Sequence, residues 1–123
     1  SPDRIIIFVD ELNKYAPQAL KSSPIIGDIL EITERGRSLG IVLFAAEQFR
    51  SEVHARVKGN CATNVYGRTN AVEIGTSDFR PLPKSFTNMM TRLQKGHLIV
   101  QHPIFRSLLK LIFPRPAYYQ KIN

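Results

Sequence analysis

Apolar residues fall into short blocks set off by proline, glycine and polar punctuation, and their period changes along the chain. Residues 4–10 form a continuous apolar run that ends in two acids, Asp10 and Glu11. Unbroken apolarity over strand length predicts a strand buried on both faces of a parallel sheet. Pro17 and Pro24 bound a loop, and Ser23 followed by Pro24 supplies a cap and a first-turn proline for a helix. Ile25, Ile26, Ile29, Leu30 and Ile32 then share one helical face, predicting a helix to about Ser38 that Gly40 stops. A second buried strand follows over 41–46, ending at Glu47 and Gln48. Ser51 is placed to cap a helix reaching about Lys58, with Val53 and Val57 on one side, before a third strand over 61–68.

Strand, helix, strand, helix, strand with short links predicts right-handed parallel crossovers. The later segment changes character. Pro81 and Pro83 lie in a loop, residues 85–93 read as a short helix, and Lys95 with Gly96 makes a turn. Strands over 97–101 and 105–113, separated by His102 and Pro103, form an antiparallel pair at the sheet edge. The fold class is therefore α/β, a mainly parallel sheet flanked by helices with an antiparallel carboxy-terminal strand pair. Residues 1–116 make one domain and 117–123 a tail.

Composition narrows the class. A chain of 123 residues, 43% hydrophobic and 22% charged, supports one modest core rather than a disordered segment. No apolar run approaches the roughly 18 residues of a membrane span, so no membrane partner is expected. Cys61 stands alone, which excludes an internal disulfide and a cysteine metal cluster and suits a reducing cytoplasm. The chain enters its first core strand almost at once, and we read it as a piece of a longer protein. The net charge of +7 is uneven, −3 over residues 1–34 and +10 beyond, with no acid after Asp78. Such asymmetry fits either a polyanion such as nucleic acid or acidic parts of another domain or subunit.

An apolar strand delivering two carboxylates to the carboxyl edge of a parallel sheet is the pattern of a Walker B element. The first acid, Asp10, can hold the water shell of Mg²⁺, a hard cation that keeps waters. The second, Glu11, can orient and deprotonate a water attacking a γ-phosphate. The same two acids can also simply cap the next turn.

The longer context is more specific. The run from Phe8 through Asp10, Glu11, Ala16 and Pro17 resembles the Walker B segment of HerA-type ATPases of the HerA–FtsK superfamily. Glu34-Arg35-Gly36-Arg37-Ser38-Leu39-Gly40-Ile41 resembles their arginine-bearing helix end, and Ala46-Glu47-Gln48 their strand ending in a sensor glutamine. Asn60-Cys61-Ala62-Thr63-Asn64-Val65-Tyr66-Gly67-Arg68 resembles the following strand, and Gly96-His97-Leu98-Ile99-Val100 the closing hairpin. The resemblance runs in order from Ile5 to about Pro116.

That resemblance implies the carboxy-terminal half of a RecA-like P-loop core, from an ATP-driven, hexameric DNA translocase or helicase that uses ATP and Mg²⁺. It makes Asp10 the acid on the Mg²⁺ side, Glu11 the general base and Gln48 the sensor of the γ-phosphate. Arg37 takes the place of the arginine that acts on a neighbouring subunit's nucleotide, with Arg35 its competitor. The sequence departs from the family pattern at Glu47 and Phe49, where Thr and Arg are common, and in the order of Glu34 and Arg35. A family ATPase serving defence or conjugation and powering an associated nuclease fits the same residues, as does a non-catalytic interaction module. No Gly-x-x-x-x-Gly-Lys-Ser/Thr occurs, and the family places that loop upstream of Walker B. The 123-residue chain is thus expected to lack ATPase activity.

Other residues are weaker candidates. Arg50, Arg56 and Lys58 flank the helix after the sensor strand and either track nucleic-acid phosphates or form a solvated face. His54, His97 and His102 lack a metal-like constellation, and Cys61 reads as core packing. Tyr118 and Tyr119 with Lys121 have the chemistry to stack on bases, or form a docked terminus.

Overall fold

A computed structural model describes residues 3–114. The chain divides into two units, one ending at Cys61 and one beginning at Ala62. The tail residues Tyr118, Tyr119 and Lys121 lie outside the described residues.

In the first unit, β1 (Ile5–Val9) and β2 (Ile41–Ala45) pair in parallel, with Ile5 opposite Ile41 and Val9 opposite Ala45. Their crossover is α1 (Pro24–Leu39), begun as the sequence predicts. Ser23 Oγ accepts from the Ile26 N–H at 3.1 Å, Pro24 occupies the first turn, and Gly40 ends the helix in the left-handed region at φ 72°. Ile26 and Ile29 of α1 join Leu12, Ala16, Val53 and Val57 in a core against which Val9 packs. Gly36 lets the last turn of α1 approach β2, since a Cβ there would sit 2.7 Å from the Ile41 carbonyl oxygen. Gly36→Ala therefore forces that helix end off the sheet, and an expected loss of about 1–3 kcal/mol is measurable by denaturant titration.

Two expectations about this unit need correction. β1 was expected to be buried on both faces, yet Ile6 is 54% and Phe8 76% exposed. Their strand neighbours Val42 and Phe44 share that face, and the Phe8 and Phe44 rings stack at 5.2 Å. A two-stranded sheet with its core on the other side leaves this apolar face bare. The second helix also starts later than Ser51 suggests. A 3-10 turn spans Arg50–Glu52, Val53 turns extended to bridge Pro17, and α2 (Ala55–Gly59) begins after His54. Burying Val53 against the core outweighs the continuous helix.

The second unit holds β3 (Asn64–Tyr66), α3 (Ala71–Ile74), α4 (Lys84–Met90), β4 (His97–Gln101) and β5 (Leu109–Ile112). β3 does not extend a parallel sheet as predicted; it pairs antiparallel with β4, in a three-stranded sheet of order β3-β4-β5. β4 and β5 form the expected antiparallel pair, though β5 is shorter because residues 102–105 turn. The Ile104 N–H donates to His102 Nδ1 at 3.1 Å within that turn. Tyr66 and Ile99 face each other across the sheet and pack with Phe79, Leu82, Met90 and Leu93. α3 escaped the sequence reading, although Asn70 and Glu73 carry its signal: Asn70 Oδ1 caps the Glu73 N–H at 2.8 Å. Among the described residues no helix is long and apolar enough to cross a membrane.

Candidate active site

Parallel pairing in register makes the carboxyl ends of β1 and β2 neighbours. Asp10 and Glu11 leave one strand, and Ala46, Glu47 and Gln48 leave the other, from the same edge. Backbone bonds hold the two exits together: the Ala46 N–H donates to the Val9 carbonyl at 2.9 Å, and the Leu12 N–H to the Ala46 carbonyl at 3.1 Å. Open parallel sheets bind ligands outside this edge.

Glu11 has φ 52° and ψ 61°, the one non-glycine residue in the left-handed region among those described. An L-residue adopts this at a cost of about 1–2 kcal/mol, and such backbone is concentrated at functional sites. The conformation turns the chain sharply out of β1 and separates the directions of two successive carboxylates. Asp10 Oδ1 accepts from the Glu11 N–H at 2.9 Å, which helps hold the turn. Glu11 Oε2 pairs with Lys14 Nζ at 2.5 Å, and this carboxylate holds the exposed Lys14 ammonium above its ordinary range. Asp10, Glu11 and Gln48 are all solvent-accessible, as groups that meet a ligand must be.

The arginines are placed elsewhere. α1 runs back along the sheet, so Arg35 and Arg37 lie by the start of β2, roughly 16 Å along the strand from its carboxyl end. Arg35 pairs with Glu31 one turn earlier, whereas Arg37 is exposed and has no ion-pair partner among the described residues. Neither is brought to the acids of its own chain. Arg56 pairs with Glu34 and joins α2 to α1, and Lys58 Nζ donates to the Arg50 carbonyl at 3.2 Å. Arg56 and Lys58, proposed for nucleic acid, are thus engaged within the unit.

His54 is buried, its Nε2–H donating to the Lys21 carbonyl at 2.9 Å, and it positions the loop before α1. No group of three metal-ligating side chains occurs among the described residues. Burial pushes the Cys61 thiol up from its ordinary range, and its Sγ contacts the Val57 carbonyl at 3.4 Å, so it is poorly suited to nucleophilic chemistry.

Glu47 is the residue the sequence reading undervalued. Its carboxylate accepts from the Asn13 N–H at 2.7 Å and the Gln48 N–H at 2.8 Å, linking both strand exits. The only linear clue is an acid directly before the candidate sensor.

No protein-family model matches the chain, and no curated protein matches it by sequence. Solved structures do. The genome packaging NTPase B204 from Sulfolobus turreted icosahedral virus 2, in complex with ATP-gammaS, is similar with a TM-score of 0.69 at 14% identity, over 89% of this chain and 52% of that one. The same protein with AMPPCP gives a TM-score of 0.67 at 12% identity, over 89% and 54%; with sulfate the values are 0.68 and 14%, over 89% and 53%. This chain spans about half the length of the structures it matches. Likeness at such identity is one of architecture, and it shows an α/β chain with part of the fold of a P-loop NTPase.

Proposed function

We propose that this chain is the carboxy-terminal half of the ATPase core of a HerA–FtsK-type DNA translocase, which assembles as a ring. The observation that carries the reading is the shared edge: parallel β1 and β2 bring Asp10 and Glu11 beside Gln48, with Glu11 aimed by left-handed backbone. Asp10 would hold a water of the Mg²⁺ shell, Glu11 would take the proton of the attacking water, and Gln48 would bind near the γ-phosphate. ATP supplies the phosphoryl group, and the metal offsets its charge when bound. DNA as the driven substrate is supported by charge. The unit ending at Cys61 has eight basic and eight acidic residues, while the remainder has nine basic and two acidic. The whole net charge of +7 therefore lies in the second unit.

Among the described residues the half-site has acids and a candidate sensor but no backbone cradle for phosphates. Calorimetric titration of the 123-residue chain with Mg-ATP is expected to show very weak binding, and supplying the phosphate-binding half is expected to restore tight, Mg²⁺-dependent binding and turnover. Micromolar binding by the chain alone would mean that the phosphates sit elsewhere.

A further inference from the structure

We infer that Glu47 is a positioning residue that locks the base-bearing turn to the sensor-bearing turn; this rests on the ATPase reading above. One carboxylate oxygen, Oε2, accepts from the Asn13 N–H at 2.7 Å, two residues beyond Glu11. The other, Oε1, accepts from the Gln48 N–H at 2.8 Å and more loosely from the Phe49 N–H at 3.5 Å. Both shorter contacts have the length of charge-assisted bonds, about twice as strong as neutral ones. A single side chain thereby holds backbone groups 35 residues apart in sequence.

The chemistry of a carboxylate is needed for this. Ionised, it only accepts, and each oxygen can take an N–H from a different turn. An amide of the same shape has one accepting oxygen, and its NH₂ would face a donor. A hydroxyl is too short to span both turns. The backbone bond from the Leu12 N–H to the Ala46 carbonyl joins the two strand exits, and Glu47 carries that tie on into the turns beyond them. Asn13 sits in a single 3-10 turn, Leu12–Lys14, and Glu11 before it holds costly left-handed backbone. With Glu47 in place, the separation of the Glu11 and Gln48 main chains is fixed before nucleotide arrives. Catalytic groups displaced by about 1 Å lose rate steeply.

Two measurements on Glu47→Gln decide the matter. In the 123-residue chain, at least one of the Asn13 and Gln48 amides, whichever loses the single accepting oxygen, is expected to exchange its proton about tenfold faster or more than in wild type. Glu52→Gln, which alters only the bond from Asn13 Nδ2 to Glu52 Oε2, is the control and leaves the Gln48 amide unchanged. Asn13 and Gln48 amides both indifferent to Glu47→Gln defeat the tie. In the full-length protein, Glu47→Gln is expected to lower kcat about 10–100-fold with KM nearly unchanged. Added to Glu11→Gln it costs little more, because it acts through the base; a full, additive loss in both backgrounds would overturn the role, as would unchanged kcat. Should the wild-type full-length protein show no ATPase activity, the functional reading fails and the positioning role with it, while the exchange result separately reports whether the tie exists.

Discussion

Glu11→Gln in the full-length protein is expected to lower ATP turnover by about 10²–10⁴-fold and to leave nucleotide affinity unchanged. The amide keeps the volume and one accepting oxygen, so it still orients a water. It cannot take that water's proton. The backbone at position 11 tolerates glutamine as it does glutamate, because the left-handed cost falls on any residue with a Cβ. Loss of the Lys14 ion pair contributes little, since both side chains are more than half exposed. Single-turnover measurements with bound nucleotide separate the two quantities: a slow chemical step with wild-type affinity assigns the base. Near-normal turnover removes Glu11 from that role, and weakened binding with unchanged kcat would make it a ligand of the nucleotide instead.

What could be read from the sequence here follows the range of the interactions involved. α1 was legible because its signals are local: Ser23, Pro24 and Gly40 act within a turn of the residues they terminate. The parallel order of β1 and β2 follows from the length of the crossover between them. β3 failed for the opposite reason. Its apolar residues are compatible with either pairing direction, and its partner β4 lies about 30 residues later. The bare face of Ile6, Phe8, Val42 and Phe44 also escaped, since hydrophobicity states what a strand can bury and not what is present to cover it. Within the candidate site, the two acids and the glutamine were nominated by chemistry and position. Glu47 did not, because its role is a contact between turns distant in sequence. Nor could Glu11's backbone be inferred: glycine or asparagine would have announced a left-handed residue, and glutamate does not.

Arg37→Ala is expected to lower turnover in the assembled ring by about 10³–10⁵-fold, through the neighbouring subunit's site. The placement of Arg37 motivates this directly. It stands near the amino-terminal edge of the sheet, roughly a strand's length from the acids of its own chain, so an effect on turnover must be exerted elsewhere. Arg35, paired with Glu31, is held along α1, whereas Arg37 has no such engagement among the described residues. A guanidinium reaching another subunit's nucleotide stabilises the charge that builds on the transferred phosphoryl group. Mixing provides the test. Rings are assembled from Arg37→Ala and Glu11→Gln subunits together, and their mixed composition is verified by mass. Where a subunit with intact Glu11 faces a neighbour with intact Arg37, a complete site forms, so mixed rings are expected to regain activity that neither mutant has alone. If Arg37 serves only its own subunit, each site carries one defect whatever its neighbour, and no activity returns. That outcome would move the finger to Arg35 or elsewhere, and the same mixing experiment with Arg35→Ala decides between those.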